Sequence, residues 1–412
     1  MRTIVDDAGI ATGSKAAELE SYLPFSAPCF GPEEKAEVTA ALESDWITTG
    51  PRTRRFEEEF ARMVGSKHAI AVNSCTAALH LSLSALNIGQ GDVVVTSPFT
   101  FCATANVVVH CGAVPVFVDI RPDTYNLDPN RLREFFEQDC EWNGCALNVR
   151  RTGGRVRAIT AVHYAGQPCD MAEINELAKR YALAVIEDAA HATGAVYNGR
   201  KVGTLGNMSC FSFYANKNMT TAEGGMLTTD DDDLAGRARL MSLHGISRDA
   251  WKRYTQEGTW RYDVEHPGYK YNLTDIAAAI GLHQLRKLPG FLARRHLIAA
   301  QYLAGLQGLP LILPESLPDR QHAWHLFPVQ VTSSGVSRDK VIEALSLRRI
   351  GTSVHFIPLH LTSYYQRAFG YQRGDFPVAE RVFDRIVSLP LFPRMTQWDV
   401  QRVMEALHQV LS

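Results

Sequence analysis

The sequence predicts an α/β fold: a large domain on a mainly parallel sheet, followed by a smaller α+β domain. Three observations carry that reading. Apolar, β-branched runs alternate with helix-patterned segments from Ala69 to Thr229, the pattern of parallel strands joined by crossover helices. Polar and aromatic residues recur where those strands end, the edge at which open α/β sheets gather ligands. The chain has 412 residues, more than one simple core usually holds, so a second unit is expected. The expected division is a flexible tail at 1–20, a large domain at 21–285 and a small C-terminal domain at 286–412.

The elements follow in order. Residues 1–20 are small and polar and read as a loose tail. Pro24 to Pro32 is an irregular arm, and Pro32 opens a helix over Glu33–Ser44. A turn at Trp46–Pro51 leads to a helix over Arg54–Val64. Strand Ala69–Val72 passes through Asn73-Ser74, an N-cap, into a helix over Thr76–Leu86. Such a junction presents free N–H groups and the positive dipole end to a phosphate; an ordinary βα junction would read the same way. Strand Asp92–Thr96 ends in Ser97-Pro98-Phe99-Thr100-Phe101, before a helix over Ala103–Val109. Strand Val114–Ile120 precedes a helical Arg131–Gln138 and an irregular insertion at 141–155. Strand Arg157–Tyr164, helix Met171–Tyr181 and strand Leu183–Ile186 follow, the last running into Glu187-Asp188-Ala189-Ala190-His191.

Strands Ser209–Phe213 and Met226–Thr229 flank a turn of small and polar residues that contains one lysine, Lys217, and closes on Gly224-Gly225. A buried ammonium is costly and its pKa falls readily, which is what a nucleophilic amine needs. A solvated loop lysine is the alternative, and the neighbouring strand ends decide between them. Leu234–Leu243 is a helix, Trp251–Pro267 an aromatic and charged loop, and Thr274 caps a small, apolar helix from Asp275. An Arg-rich helical stretch at 286–300 bridges to the second domain. There, strands are expected near His325–Val331 and Thr352–Phe356, with helices at Arg338–Leu347 and Asp399–Leu411.

Composition excludes several classes. The chain is 46% hydrophobic and 21% charged with net charge -2, so no electrostatic bias toward nucleic acid or membrane exists. Eight scattered cysteines without a C-x-x-C pair read as reduced thiols, with no metal site. No apolar leader core stands in the first twenty residues, and the most apolar stretch, Ala69–Leu86, is interrupted by Asn73, Ser74, Thr76, His80 and Ser82. A cytoplasmic protein is expected. No G-x-G-x-x-G follows the first strand, which removes the dinucleotide reading.

Lys217, Asp188, an aromatic ring and a phosphate cradle at one sheet edge match what pyridoxal phosphate requires. From Phe25 to Leu411 the chain resembles the DegT/DnrJ/EryC1/StrS family of pyridoxal-phosphate-dependent sugar aminotransferases. The likeness rests on Asn73 to Leu79, Val162 to Pro168, Glu187 to Ala192, Phe211 to Phe213 with Lys217-Asn218, Glu223-Gly224-Gly225, and Ser388 to Pro393. It implies fold type I, with a seven-stranded, mainly parallel sheet. It implies Lys217 as the Schiff-base lysine and proton shuttle, Asp188 at the ring nitrogen, and His191 beside the ring and its phenolic oxygen. Phe101 would stack on the ring, while Cys75, Thr76 and Ser212 would hold the phosphate. The family's phosphate-contacting Asn from a neighbouring subunit is not matched in place; Asn272 is its candidate replacement, or Lys270 supplies a cation. Glutamate would convert the cofactor to pyridoxamine phosphate, and a nucleotide-linked ketosugar would accept the amine.

Gly268-Tyr269-Lys270-Tyr271-Asn272-Leu273, the Trp46–Pro51 turn and His322 to Phe327 resemble the branch that aminates C4 of UDP-linked 4-keto sugars. His355 and His360 are candidate substrate residues; core or interface histidines are the alternative. A homodimer with shared active sites is implied. Competing readings are an aminotransferase for a dTDP- or GDP-linked ketosugar at C3 or C4, a dehydratase on the same fold, which Lys217 disfavours, and a non-catalytic regulatory member.

Overall fold

The computed structural model describes residues 21–246 and 262–412. The expected tail at 1–20, and residues 251–261 of the expected Trp251–Pro267 loop, lie outside the described residues.

One large sheet organises the chain. Its strands are β1 (His68–Val72), β2 (Asp92–Thr96), β3 (Val114–Phe117), β4 (Cys140–Trp142), β5 (Leu147–Val149), β6 (Arg155–Val162) and β7 (Ala184–Asp188). After a small hairpin, β8 (Val196–Tyr197) and β9 (Arg200–Lys201), come β10 (Met208–Ser212) and β11 (Gly225–Thr229). Seven strands run in the order β1-β11-β10-β7-β6-β2-β3, and β4 and β5 extend the sheet to nine. The insertion at 141–155, expected to be irregular, is therefore a correction: it carries an antiparallel hairpin that pairs Cys140 with Val149 and joins β6 through Leu147 and Val156. Its turn is short because the Asn143 side chain accepts from the N–H groups of Cys145 and Ala146, a local bond pattern that substitutes for a longer ladder.

Strand direction places the site. β10, β7, β6, β2 and β3 are mutually parallel. β11 is antiparallel to both β10 and β1, so β1 runs with the parallel set. The carboxyl ends of β1, β2, β6, β7 and β10 and the amino end of β11 therefore share one edge. Alternation along β10 divides the two faces. Phe211 and Phe213 pack on Phe60 and Phe56 at 5.0 and 5.4 Å, beneath helices Pro51–Val64, Met171–Arg180 and Asp275–Gly305. Cys210 faces the other core, under helices Cys75–Ala85 and Asp232–Met241.

The Asp275–Gly305 helix is 31 residues long and carries Pro289 inside it. Thr274 caps it, its hydroxyl accepting from the Ala277 N–H. The Asp275 carboxylate, fully buried, accepts from Gly50, Arg52 and Thr53 N–H at 2.8–3.0 Å and so caps the Pro51–Val64 helix as well. The same helix crosses into a C-terminal unit made of β12 (Leu311–Ile312), β13 (Arg320–Gln321), β14 (Phe327–Val331) and β15 (Ile386–Leu389). β12, β14 and β15 form an antiparallel sheet covered by helices Arg338–Leu347 and Gln397–Leu411, whereas β13 pairs with β8 of the large unit. Leu23 of the N-terminal arm is buried in this second core and pairs with Ile350.

Thr352–Phe356 is not the expected strand. Only Ser353 pairs, with Ser388, because the segment leaves the sheet to bring His355 and Phe356 over the large unit.

Candidate active site

The strand ends enclose a cavity of about 350 Å³. Ser74, Cys75 and Thr76 reach it from β1, Phe101 and Thr104 from β2, and Asp188 and His191 from β7. Ser212 and Lys217 come from β10 and its loop, while His325, His355 and Phe356 close it from the C-terminal unit.

The lysine loop is held at its base by the backbone. Phe213 donates to Gly224 O at 2.9 Å and accepts from Thr221 N–H at 2.9 Å, and the Lys217 N–H closes a turn onto Tyr214 O at 3.0 Å. Asn218 donates to Ala323 O at 2.9 Å, tying the loop to the segment that carries His325. Lys217 is half-buried, its remaining surface lining the cavity. Burial lowers its pKa to about 8, against the opposing pull of Cys75 and Asp188. That is an amine with a substantial free-base fraction near neutral pH.

The phosphate side is built from the start of the Cys75–Ala85 helix. Ser74 caps it, accepting from Ala77 N–H at 3.1 Å, so the N–H groups of Cys75 and Thr76 have no intrahelical acceptor. Gly225 lets β11 approach this turn: a Cβ there would lie 2.5 Å from the carbonyl carbon of Ser74 and 2.7 Å from Cys75 N. Ser212, buried at the end of β10, completes that side.

Asp188 ends β7 and is 5% exposed. Burial raises its pKa, and Thr104, the Ala190 N–H, Lys217 and His163 offset this only in part. Thr104 donates to Oδ2 at 2.7 Å and Ala190 N–H to Oδ1 at 3.2 Å, leaving each oxygen a further lone pair. His191 accepts the Ala165 N–H on Nδ1 at 3.3 Å, which places its proton on Nε2. Its ring lies 4.4 Å from that of His325 and stacks at 5.9 Å on Phe356. Burial drives the pKa of His191 and of His325 well down, and takes His355 to about 4, with Lys217 adding to each. All three are neutral imidazoles at pH 7. Gly166 permits the close approach, since a Cβ there would stand 2.8 Å from His191 O and 3.1 Å from Trp324 N.

The structure brings Lys217, Asp188, His191, Cys75, Thr76, Phe101, Ser212 and His355 together around one cavity. Phe101 is 60% exposed, its ring 6.1 Å from Phe356 at the mouth. Two expected residues fall elsewhere. His360 does not line this cavity: fully buried, it bonds Glu380 through Nε2 at 2.9 Å. Asn272 does not line its own chain's cavity; its amide donates to Thr49 Oγ1 at 2.7 Å and its oxygen accepts from Lys270. Thr104, Phe356 and His325 were missed. The signal for His325 stood in the His322 to Phe327 run; a threonine in a helix's first turn carries no comparable mark.

An amine of lowered pKa, a carboxylate with free lone pairs and a helix start with two free N–H groups fit a phosphorylated pyridine aldehyde. The DegT/DnrJ/EryC1/StrS aminotransferase family model matches residues 28–408, and the chain belongs to that family. It is 49% identical over 395 residues to the spore coat polysaccharide biosynthesis protein SpsC of Bacillus subtilis, covering 95% of this chain and 97% of that protein. Among solved structures, Spr1654 of Streptococcus pneumoniae, described as a sugar aminotransferase, matches in its pyridoxamine-phosphate form with a TM-score of 0.84 and 31% identity, over 94% of this chain and 98% of that one. Its pyridoxal-phosphate form matches equally, at 0.84 and 30% identity over 95% and 100% of the two chains. PseC of Helicobacter pylori, an aminotransferase involved in the biosynthesis of pseudoaminic acid, matches at 0.84 with 28% identity over 95% and 99%. The chain is a sugar aminotransferase whose cofactor is pyridoxal phosphate.

Proposed function

We propose that this enzyme carries the amino group of glutamate to the keto carbon of a nucleotide-linked sugar, C4 of a UDP-linked 4-keto sugar in the most specific form of the reading. The observation that supports it is the meeting of Lys217 and Asp188 in one cavity beside the free N–H groups of Cys75 and Thr76. When bound, pyridoxal phosphate supplies the aldehyde that takes up the amino group and the ring that spreads charge from the carbon losing its proton.

The chain's own groups do the rest. Lys217 Nζ would hold the cofactor covalently, and as a free amine it would take and return the proton of the donor's α-carbon. Asp188 would accept from the ring nitrogen and favour its protonated form. The Nε2–H of His191 would serve the phenolic oxygen, Cys75, Thr76 and Ser212 would hold the phosphate, and Phe101 would cover the ring. His355, with Nδ1 2.9 Å from Ser388 Oγ, offers its other nitrogen to the sugar. We place the reaction in the cytoplasm and in a homodimer, with Asn272 or Lys270 of a second copy completing the phosphate site. Among the described residues no helix is long and apolar enough to cross a membrane.

The test is a visible spectrum of the loaded enzyme, before and after glutamate and then with UDP- and dTDP-linked 4-keto sugars. Glutamate should bleach the band and one ketosugar should restore it; no response to any ketosugar overturns the nucleotide-sugar reading. Lys217→Ala should abolish both the band and turnover, a loss on the order of 10⁴-fold or more in kcat. Retained multiple turnover in that variant would refute the assignment of the lysine.

A further inference from the structure

Asp188 does not stand alone beneath the cavity. Thr104 Oγ1 lies 2.7 Å from Asp188 Oδ2, and Thr100 Oγ1 lies 2.8 Å from Thr104 Oγ1. Both threonines are 2% exposed. The bond directions follow from valence. An ionised carboxylate only accepts, so the single proton of Thr104 goes to Asp188, and Thr100 must be the donor to Thr104. The result is a polarised chain, Thr100 to Thr104 to Asp188, in which each bond strengthens the next.

The same turn of backbone carries Phe101. The Thr104 N–H donates to Phe101 O at 3.2 Å, so one short segment at the end of β2 sets both the aromatic ring at the cavity mouth and the donor on the carboxylate. A buried carboxylate deprived of such donors tends to take a proton. A protonated Asp188 would itself be a donor, and could no longer serve a ring N–H.

We propose that Thr104, backed by Thr100, is a positioning residue for amino transfer: it holds Asp188 as an oriented, charged acceptor for the ring nitrogen of pyridoxal phosphate. The inference rests on the role given to Asp188 above. The other groups facing this carboxylate are Lys217, His163 and the Ala190 N–H, which favour its charged form, and the thiols of Cys75 and Cys210. None of them replaces a hydroxyl donor on Oδ2.

The experiment uses full-length enzyme loaded with pyridoxal phosphate carrying ¹⁵N in the ring, read by NMR at neutral pH. In Thr104→Val, which keeps the shape and removes the hydroxyl, the ring-nitrogen resonance should move toward the unprotonated position. The cofactor Kd should rise roughly tenfold, and kcat should fall about 10- to 100-fold with KM for glutamate within about twofold. Thr104→Ser should restore all three, and Thr100→Val should move them the same way by less. A wild-type resonance in Thr104→Val overturns the proposal, including the case where kcat falls, since a purely structural role would leave that resonance in place. If Thr104→Val does not fold, Thr100→Val decides on the same readout. Asp188→Asn separates the two levels. If it leaves the resonance protonated, the role of Asp188 fails; if it shifts the resonance while Thr104→Val does not, only Thr104 fails.

Discussion

Glu187 and Asp188 are consecutive on β7 and exposed by only 0% and 5%, yet strand alternation turns them to opposite faces of the sheet and to opposite chemistry. Glu187 points into the core, where Oε1 accepts from Ser209 Oγ at 2.5 Å, Leu205 N–H at 2.9 Å and Gly206 N–H at 3.0 Å. Its Oε2 takes His163 Nε2 at 3.0 Å and the Gly203 N–H at 3.4 Å, and the Nδ1 of His163 in turn accepts the Cys169 N–H. Burial alone would push Glu187 up, but these donors together hold its carboxyl below the usual range. Asp188, facing the cavity, has two protein donors and is pushed the other way. The lesson is that burial does not distinguish a working carboxylate from a structural one; the count of fixed donors does. Glu187 has no lone pair to offer, and Asp188 keeps two.

That contrast can be broken first by paired variants. Asp188→Asn should lower kcat about 10²- to 10³-fold while changing the unfolding free energy of the cofactor-free protein by less than about 1 kcal/mol. Glu187→Gln should remove about 3–5 kcal/mol of stability, because it strands His163 in the core. Urea unfolding and steady-state kinetics on both variants measure this. Equal effects on kcat and stability in the two would erase the distinction.

It can be sharpened by pH. The Lys217 amine is protonated below about 8 and reacts with an aldehyde only as the free base. Capture of pyridoxal phosphate by the cofactor-free protein should therefore accelerate roughly tenfold per pH unit up to about 8, then level off. Stopped-flow absorbance from pH 6 to 9.5 measures it. A midpoint near the ordinary lysine value would mean that burial does not depress this amine.

The smallest expected effect on catalysis belongs to the C-terminal unit's own buried pair. His360→Asn should cost about 1–3 kcal/mol of stability and leave KM for both substrates within about twofold. A large KM change would return His360 to the substrate site.

Much of the fold was legible in the sequence where one physical signal dominated. Apolar runs capped by polar residues marked β1, β2, β6, β7 and β10 to within a few positions, and Thr274 and Pro32 marked helix starts. Less was legible where pairing depends on distant partners. β15 (Ile386–Leu389) forms an edge of the second sheet, paired with β14, yet its four residues carry no alternation long enough to read. The Thr352–Phe356 run has strand composition, but packing over the cavity outweighed its β-propensity.

The sequence by itself determined that a lysine-bearing turn, a carboxylate and a capped helix start would meet at one sheet edge, because parallel strands put their ends together whatever lies between them. Tertiary structure alone decided which histidines belong there. His325 and His355 come from a segment more than a hundred residues beyond Lys217, and His360, five residues after His355, is turned away to Glu380. It also decided that Thr104 answers Asp188. A hydroxyl and a carboxylate 84 positions apart leave no periodicity or motif to read, and only the crossing of β2 past β6 to β7 brings them within hydrogen-bond reach.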